Sequence, residues 1–444
     1  MATDPTLDPA LRCWVPSAHA EGTDFPIQNL PLGCFVADGA AHVGVAIGDQ
    51  VLDLRAARDG GHLDGLPAAT AEALGQGPLN ALFACGRAAL TALRGRVSVL
   101  LRADTPAGVR GQGDAARLLR PMREVTMQLP CAVGDYTDFY ASIDHATNVG
   151  SMFRPDQPLL PNYRHVPIGY HGRSSSLIPT GTPVRRPHGQ LAARPEGPPT
   201  FGASARMDYE LEVGAFIAGG NPLGTPIPLR EAEGHIAGLV LVNDWSARDI
   251  QSWEYQPLGP FLAKNFATTV SPWVVTLDAL APFRAPARAR AADEPAPLPY
   301  LQDRGNAAAG AVGITLEVWL RTASMRARGV GPERLSHGGF TTMYWTLAQL
   351  LAHHASNGCN LRPGDLLASG TVSGPERTSR GCLLELAWRG AEPVTLASTG
   401  ETRSFLADGD EVILRGWCEA PGAVRIGFGE CRGMLVAADP GEEA

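Results

Sequence analysis

Short apolar runs separated by Gly and Asp mark the first part of the chain. They lie at residues 34–36, 42–47 and 51–54, and the residues between them are typical of tight turns. This pattern predicts short antiparallel strands that build a small barrel. Residues 66–104 are instead rich in Ala and Leu and predict helices, with an internal break at Gly77-Pro78.

Beyond about residue 125 the sequence pattern is mainly that of a β protein. Gly, Pro and β-branched residues dominate there, and turn signals recur. Apolar and acidic side chains alternate over residues 209–213, so Glu210 and Glu212 are predicted to share one face of a strand. The apolar run 236–242, which ends just before Asp244, predicts a second strand.

Two helices are predicted within this β-rich part. Ser246 is a candidate N-cap for the first helix, in which Arg248, Gln251 and Tyr255 would lie on one face. The second helix is expected over residues 341–355. The first helix therefore predicts a row of polar side chains directly after a buried strand.

Length and composition limit the possible classes of protein. A chain of 444 residues with 44% hydrophobic residues exceeds the size at which one core usually divides, and domains are predicted at residues 1–125 and 126–444. A formal charge of −8 disfavours nucleic acid and anionic membranes as partners. The sequence has neither a recognisable secretory signal nor an apolar stretch near the roughly 20 residues of a membrane span. A cytoplasmic location is therefore expected.

The distributions of cysteine and lysine are both informative. The eight cysteines are scattered without a CxxC pair, which fits neither a zinc site nor a disulfide framework, so reduced thiols are expected. Of the 37 basic residues, 36 are Arg and only Lys264 is Lys. This suggests a position that needs a compact point charge rather than a planar fork. Chance survival of one surface lysine is the alternative interpretation.

Four carboxylates are candidates for a metal site. Asp138, Glu210, Glu212 and Asp244 fall near turns or share one strand face. Hard divalent cations such as Ca²⁺ and Mg²⁺ prefer oxygen ligands of this kind. Two glutamates on one strand face are also often simply solvated, so the spacing alone leaves both interpretations open.

A histidine and a glutamate are candidates for proton transfer. His145 could take a proton from water near neutral pH if a carboxylate orients it. The candidate carboxylate is Glu385, which lies in an apolar segment predicted to be a strand and would be costly to bury alone. Lys264, Arg248 and Gln251 are candidate donors to an oxygen that becomes negative during a reaction. A structural histidine and an outward-facing glutamate are the alternative.

Further polar side chains could hold an anionic substrate, with an arginine as the natural partner of a carboxylate. The candidates are Tyr140, Arg154, Tyr170, Tyr255 and Thr371. Core packing or surface solvation is the alternative role for each of them taken singly.

Six segments, taken together and in this order, resemble the fumarylacetoacetate hydrolase family. They are FPIQNLP from Phe25, DYTDFY from Asp135, HATNVG from His145, GYHGR from Gly169, NDWSARDIQ from Asn243 and SGTVSGP from Ser369. The similarity extends from about Trp14 to about Met434 and includes an N-terminal domain that shorter members of the superfamily lack.

The resemblance implies a mainly β (α+β) fold, with a small N-terminal SH3-like barrel domain and a larger C-terminal β-roll domain, assembled as a homodimer. It also implies metal-dependent hydrolysis of the carbon–carbon bond of 4-fumarylacetoacetate to fumarate and acetoacetate, the last step of tyrosine and phenylalanine catabolism. Position by position, it implies Ca²⁺ ligands, a second cation site for Mg²⁺, a general base with its partner, charge-stabilising groups and substrate contacts. The implied Ca²⁺ ligands are Asp138, Glu210, Glu212 and Asp244, and the implied residues of the second cation site are Asp244, Lys264 and Thr268. The implied general base is His145 with Glu385 as its partner, and the implied charge-stabilising groups are Arg248, Gln251 and Lys264. The implied substrate contacts are Tyr140, Arg154, Tyr170, Gln251, Tyr255 and Thr371.

One departure from the family and two alternative functions bear on this prediction. Ala267 stands where the family has a glycine before Thr268, which matters if the backbone there needs a positive φ. A related activity, such as acylpyruvate hydrolysis or oxaloacetate decarboxylation, would use the same carboxylates, but a pair of His145 and Glu385 favours hydrolysis. A non-catalytic, cation-stabilised binding protein is disfavoured because every candidate catalytic residue is present.

Overall fold

The N-terminal region is built on a five-stranded antiparallel sheet, in a computed structural model that describes residues 4–192 and 197–440. Its strands are Leu32–Ala37, Ala40–Ile47, Gln50–Asp53, Leu119–Pro121 and Thr126–Met127. Two-residue turns join the first three strands, and Asp38, Gly39 and Gly48 adopt positive φ in them. The predicted short strands and tight turns are therefore confirmed.

Helices fill the interval between the third and fourth strands of this sheet. They are Leu54–Asp59, Ala68–Ala73, Asn80–Ala84, Arg87–Leu101, Pro106–Gly113 and Ala115–Leu118. The predicted break at Gly77-Pro78 is confirmed, because it separates two of these helices. Helix Arg87–Leu101 buries Leu90, Leu93 and Val97 on one face, and they belong to an apolar core that also contains Val240 from the C-terminal region.

An eight-stranded mixed sheet carries five of the candidate site residues, Asp138, Tyr170, Glu212, Asp244 and Thr268. In spatial order its strands are Gly169–Gly172, Tyr136–Phe139, Leu366–Ala368, Leu211–Ile217, Ile236–Asp244, Thr268–Val270 and Leu177–Pro179, and Val275–Thr276 also pairs with Ile236–Asp244. Every residue of strands Leu211–Ile217 and Ile236–Asp244 is buried. Their side chains on both faces therefore lie inside the protein, which accounts for the nearly continuous apolar sequence of the second strand.

A second five-stranded sheet completes the larger C-terminal region. Its strands are Glu333–Gly339, Ile314–Arg321, Glu411–Cys418, Ile426–Val436 and Val184–Arg185. Four two-stranded pairs accompany the sheets: His188–Leu191 with Thr200–Ala203, Met207–Asp208 with Ser246–Ala247, Arg284–Ala285 with Ala311–Val312, and Val394–Thr395 with Thr402–Arg403. The predicted mainly β architecture, with a small N-terminal domain and a larger C-terminal domain, is confirmed.

The α-helices of the C-terminal region are short. They are Ile143–Phe153, Leu229–Ala232, Arg248–Glu254, Arg304–Ala309, Ala323–Ala327, Leu347–His354 and Leu383–Leu386. Within the described ranges, no helix combines the length and the apolar character that crossing a bilayer requires. All eight cysteines are free thiols, as expected from their spacing.

Three local predictions are wrong. Ser246 does not cap the helix that follows it, because that helix begins at Arg248 with Ala247 in the capping position. The hydroxyl of Ser246 donates instead to Glu210 Oε1 at 3.1 Å. Ser246 is paired with Asp208 in a short strand, so it lies before the first turn of the helix.

The other two errors concern helix 341–355 and the segment around Glu385. The helix begins only at Leu347, because the Thr346 hydroxyl accepts a hydrogen bond from Gln349 N and fixes the start there. Glu385 lies in the short helix Leu383–Leu386 and not in a strand. Four buried residues in a row permit either structure, and tertiary contacts decide between them.

Candidate active site

One cavity of about 620 Å³ gathers most of the predicted site residues. The residues that line it include Asp138, Tyr140, His145, Arg154, Tyr170, Glu210, Arg248, Gln251, Tyr255, Lys264 and Thr371. Glu212, Asp244 and Glu385 do not line the cavity but contact residues that do, and Thr268 donates a hydrogen bond to Asp244. Four segments far apart in sequence therefore build one site.

Strand pairing brings the four predicted metal carboxylates together. Asp138 lies opposite Ala368 in the last pair of its parallel ladder, and Asp244, the last residue of its strand, pairs with Thr268. Glu210 and Glu212 share one face of the intervening chain, as predicted. One oxygen from each of the four carboxylates lies within 4.8 Å of the others, and all four residues are buried. The interpretation of a solvated strand face is therefore wrong for these two glutamates.

The four carboxylates have very unequal hydrogen-bond partners. Glu210 lies 2.7 Å from Lys264 Nζ and 2.6 Å from Arg248 Nη1. Asp244 accepts hydrogen bonds from Lys264 at 2.8 Å, and also from the hydroxyls of Thr268 and Tyr170. Asp138 accepts one from the backbone N–H of Gly370 at 3.1 Å.

Glu212 is the exception, since neither of its carboxylate oxygens has a hydrogen-bond partner among the described residues. Burial and the nearby Asp138, Asp244 and Glu210 raise the pKa of Glu212 well above its usual range. Burial and Asp244 do the same to the pKa of Asp138. A group of buried like charges with two unpaired oxygens is electrostatically incomplete without a further cation.

Lys264 and Arg248 supply positive charge to the other side of the cluster. Burial alone would raise the pKa of Glu210, but these two cations hold it well below its usual range. Burial opposes protonation of Lys264, yet Asp244 and Glu210 raise the pKa of the ammonium above its ordinary value. Lys264 is thus a buried, charged residue, and the interpretation of a chance surface lysine is wrong.

These residues fit a hard divalent cation. Carboxylate oxygens from four buried side chains converge, and the two oxygens of Glu212 have no donor among the described residues. Ca²⁺ accepts 6 to 8 oxygen ligands in loose geometry, and Mg²⁺ also prefers oxygen. The cluster is therefore a candidate centre for a divalent cation.

The second group of buried polar residues is the pair of His145 and Glu385. His145 lies in helix Ile143–Phe153, where Ser142 caps the first turn by accepting a hydrogen bond from His145 N. His145 Nδ1 lies 2.6 Å from Glu385 Oε2. Because an ionised carboxylate only accepts hydrogen bonds, Nδ1 carries the proton and Nε2 is left as the proton acceptor.

Glu385 is fully surrounded by donors. Asn148 Nδ2 donates to Oε1 at 2.8 Å, and the Ser373 hydroxyl donates to Oε2 at 2.7 Å. Burial would raise the pKa of Glu385, but His145 and these hydrogen bonds lower it to about 2. The carboxylate is therefore ionised at neutral pH and can orient the imidazole.

The predicted charge-stabilising groups lie beside the carboxylate cluster. Arg248 Nη1 donates to Gln251 Oε1 at 3.0 Å, and both side chains line the cavity. Arg248 and Lys264 are each only 7% and 6% exposed. Two buried cations and an amide thus line the cavity together, where a developing negative charge would be poorly screened by water.

The predicted substrate residues occupy the other walls of the cavity. Tyr140 packs edge-on against the His145 ring with centroids 5.2 Å apart. The Thr371 hydroxyl and Arg154 Nε are buried without hydrogen-bond partners among the described residues. Tyr170 differs from the expectation for a substrate residue alone, because its hydroxyl already donates to Asp244.

Several residues of the site were not singled out from the sequence. Asn148 and Ser373 hold Glu385, and both lie inside the HATNVG and SGTVSGP segments, so a signal for them was present. Arg206 and Arg389 also line the cavity, but they stand in ordinary polar contexts that give no signal.

The departure at Ala267 has little structural consequence. Positive φ among the described non-glycine residues is confined to Leu30, Asp38, Trp388 and Arg389. Ala267 therefore adopts a backbone conformation that an alanine accommodates without strain.

A buried carboxylate cluster and a hydrogen-bonded His–Glu pair, facing one cavity on this mainly β fold, define an enzyme of the hydrolase class. Residues 135–436 match the family described as fumarylacetoacetate (FAA) hydrolase C-terminal, and residues 28–130 match the fumarylacetoacetase N-terminal family. The chain therefore belongs to the fumarylacetoacetate hydrolase family, whose members are metal-dependent.

Individual relatives are similar over almost their whole length. The human fumarylacetoacetase is 48% identical over 426 residues, which cover 94% of this chain and 98% of the human protein. The Caenorhabditis elegans fumarylacetoacetase is 49% identical over 427 residues, with 94% and 98% coverage. Among solved structures, a fumarylacetoacetate hydrolase from the psychrophile Exiguobacterium antarcticum aligns with a TM-score of 0.50 at 15% identity, covering 92% of this chain and 99% of that one. The last similarity concerns the fold alone.

Proposed function

We propose that this chain hydrolyses 4-fumarylacetoacetate to fumarate and acetoacetate, the last step of tyrosine and phenylalanine catabolism. The observation that carries this proposal is the convergence of the His145–Glu385 pair and the carboxylate cluster on one cavity. Relatives that are nearly half identical over the full length bear the name of this activity. The substrate fits the site, because it is a diketone with a carboxylate at each end.

Substrate binding is assigned to the cavity walls. Arg154 would pair with a carboxylate of the substrate, since no carboxylate of the described chain lies within ion-pair distance of its guanidinium. The buried hydroxyl of Thr371 has no partner in the described part of the chain, so it could donate a hydrogen bond to the substrate. Tyr140, Tyr255 and Tyr170 would complete the walls around the diketone.

Water activation is assigned to the pair of His145 and Glu385. Glu385 fixes the proton on Nδ1, so that Nε2 can accept a proton from a water molecule. The hydroxide then attacks the ketone carbon next to the fumaryl double bond. The charge that develops on His145 is balanced by Glu385, whose low pKa keeps it ionised throughout.

Cleavage follows when the tetrahedral intermediate collapses. The carbon–carbon bond breaks, one fragment leaves as fumarate, and the electron pair remains on the methylene carbon of the other fragment as an enolate. Lys264, Arg248 and Gln251 would stabilise this negative charge. Protonation of the methylene carbon then gives acetoacetate, so the proton removed from water is returned.

Two cation sites are assigned to the chain. Asp138, Glu210, Glu212 and Asp244 would hold Ca²⁺, which when bound supplies Lewis-acid polarisation of the diketone. Asp244, Lys264 and Thr268 would surround Mg²⁺ at the second site. A protonated Lys264 ammonium has no lone pair, so its contribution there would be its backbone carbonyl.

We also propose a cytoplasmic homodimer. Family resemblance supports this assembly, and the apolar side chains of Leu258 and Phe261 are 96% and 67% exposed. Sedimentation of the purified chain tests the assembly, with a single species of twice the chain mass as the expected result.

The deciding experiment follows the ultraviolet absorbance of the fumarylacetoacetate enolate after addition of purified protein. Parallel reactions contain a chelator, or the chelator followed by excess Ca²⁺ or Mg²⁺. We expect loss of absorbance that depends on the cation and yields fumarate and acetoacetate in equal amounts. No loss with any cation would contradict the proposal, and shorter acylpyruvates would then identify a related activity.

A further inference from the structure

Asp208 is a completely buried carboxylate that the mechanism above does not use. It lies at the end of the two-residue strand Met207–Asp208 and is 0% exposed. It does not line the cavity. Burying an ionised side chain at such a position is unfavourable unless several donors surround it, so its contacts indicate its role.

One set of contacts leads to the helix that carries Glu385. Asp208 Oδ1 accepts a hydrogen bond from the backbone N–H of Leu383 at 2.8 Å, and Oδ2 accepts one from Leu384 at 2.9 Å. The residue in the N-cap position, Cys382, provides no side-chain cap of its own. Asp208 thus caps this helix from a distant part of the chain and fixes the start of the turn that presents Glu385.

The other contact leads to Arg248. Asp208 Oδ2 accepts a hydrogen bond from Arg248 Nε at 2.9 Å and lies 2.9 Å from Nη2. On its far side the same guanidinium contacts Glu210 at 2.6 Å. Two carboxylates therefore hold Arg248 between them, one in the candidate cation cluster and one outside it.

We propose that Asp208 is a positioning residue that couples the two halves of the site. One carboxylate sets both the orientation of the Glu385 helix, and through it His145, and the place of the Arg248 guanidinium. The reaction needs the base and the anion-stabilising cation at a fixed separation, because they act at opposite ends of the same bond cleavage. This role rests on the proposed function.

Asn at position 208 would keep the shape but remove the charge. Its amide oxygen can still accept from Leu383 N, but its NH₂ group would face both Leu384 N and Arg248, which only donate hydrogen bonds. Of its two carboxylate partners Arg248 would then keep only Glu210, so its guanidinium would no longer be fixed in place. A displacement of about 1 Å at a catalytic group can reduce turnover about 100-fold.

The test compares Asp208→Asn with Asp53→Asn. Asp53 is a matched control, because it is 1% exposed, caps helix Leu54–Asp59 through Ala56 N and lies 3.6 Å from Arg120 Nε, but belongs to the N-terminal sheet. We expect both variants to lose a similar amount of thermal stability. Only Asp208→Asn should lower kcat, by about 10- to 100-fold, with KM changed less than about threefold and Ca²⁺ affinity preserved.

A second measurement does not depend on turnover. The Nδ1 proton of His145, in a hydrogen bond of 2.6 Å to Glu385, is expected to give a downfield proton resonance in protein labelled with ¹⁵N-histidine. That resonance should move or disappear in Asp208→Asn and persist in Asp53→Asn. It reports on Asp208 even if the wild-type protein fails to hydrolyse fumarylacetoacetate, so failure of the proposed function is distinguishable.

Two results would overturn the inference. One is a kcat of Asp208→Asn within twofold of the wild type, together with an unchanged His145 resonance. The other is a loss of Ca²⁺ affinity as large as the loss of kcat, which would make Asp208 a support of the cation cluster alone.

Discussion

Glu385, in the pair with His145, and Glu212, in the carboxylate cluster, are both 0% exposed beside the cavity, and yet their pKa values are shifted in opposite directions. Glu385 has His145, Asn148 and Ser373 as donors, and its pKa is lowered to about 2. Glu212 has no donor among the described residues, and its pKa is raised well above the usual range. Burial therefore does not decide the charge of an acid here. The protein supplies hydrogen-bond donors to Glu385, whereas the carboxylate cluster around Glu212 needs a bound cation to balance its charge.

The largest expected effect is on turnover, when the pair of His145 and Glu385 is disrupted. His145→Ala removes the proton acceptor, and we expect kcat to fall about 10³-fold, while the four carboxylates keep their geometry and Ca²⁺ affinity changes little. Stopped-flow or steady-state loss of enolate absorbance measures the first quantity, and calorimetric titration with Ca²⁺ measures the second.

His42→Ala is the matched control for this substitution. His42 is also buried and lies 2.9 Å from a carboxylate, that of Asp53, but in the N-terminal sheet. The His42→Ala variant should be less stable than the wild type but should keep the wild-type turnover. Turnover of His145→Ala equal to that of His42→Ala would remove His145 from the mechanism.

The next effect concerns stability against pH. The pKa of Glu385 is about 2 in the folded protein, against an ordinary value of 4.5. A lowered folded-state pKa contributes stability that is fully present above pH 4.5 and is lost as pH falls towards 2. The contribution is about 3 kcal/mol when complete.

Urea unfolding between about pH 6 and pH 3 measures this contribution. Glu385→Gln lacks the titrating carboxyl, so the difference in unfolding free energy between wild type and variant should shrink as pH falls through this window. A difference that stays constant with pH would contradict the assigned ionisation of Glu385.

The same contrast explains how much of the molecule could be predicted from its sequence. Alternation over residues 209–213 was sufficient to place Glu210 and Glu212 on one face, because a strand has a fixed period. The Glu385 helix was missed because its cap, Asp208, lies 175 residues away from the Leu383 amide that it binds. Ser246 was misassigned for a similar reason, since it pairs with Asp208, a residue distant in sequence, in a short strand.

The segments that resemble the family predicted more of the site residues than the local sequence patterns did. They indicated His145 and Asp244 together with their roles, which spacing alone left open. They gave no information on charge, because the pKa of Glu212 depends on which donors surround it in three dimensions. Arg206 and Arg389 had neither a pattern nor a segment to mark them, and only the folded chain brings them to the cavity.

A smaller effect, on stability, is expected in the carboxylate cluster, and its sign should depend on Ca²⁺. Glu212→Gln removes one buried carboxyl without a partner, so with a chelator present the variant should be more stable than the wild type by about 1 kcal/mol. With excess Ca²⁺ the order should reverse, because the variant has lost a charged ligand. Thermal unfolding under both conditions measures the change of sign.

Glu317→Gln separates this effect from the loss of any buried glutamate. Glu317 is 6% exposed, and its carboxylate accepts hydrogen bonds from Arg334 and Trp319. That variant should be destabilised equally with and without Ca²⁺. If Glu212→Gln behaves in the same way, the carboxylate cluster is not the calcium site.

The smallest expected effect tests whether the second cation site needs the glycine of the family. Ala267 is 4% exposed and adopts no positive φ, so Ala267→Gly removes a buried methyl group and adds freedom to the unfolded chain without relieving strain. The free energy of unfolding should fall by about 0.5 to 1 kcal/mol, while kcat and Mg²⁺ affinity stay within twofold. Ala263→Gly, at a residue that is 0% exposed in the same loop, should cost a similar amount. A gain in Mg²⁺ affinity for Ala267→Gly alone would show that binding of the cation requires backbone freedom that alanine restricts. The second cation site would then depend on the backbone at position 267, whereas the calcium site depends on carboxylate side chains.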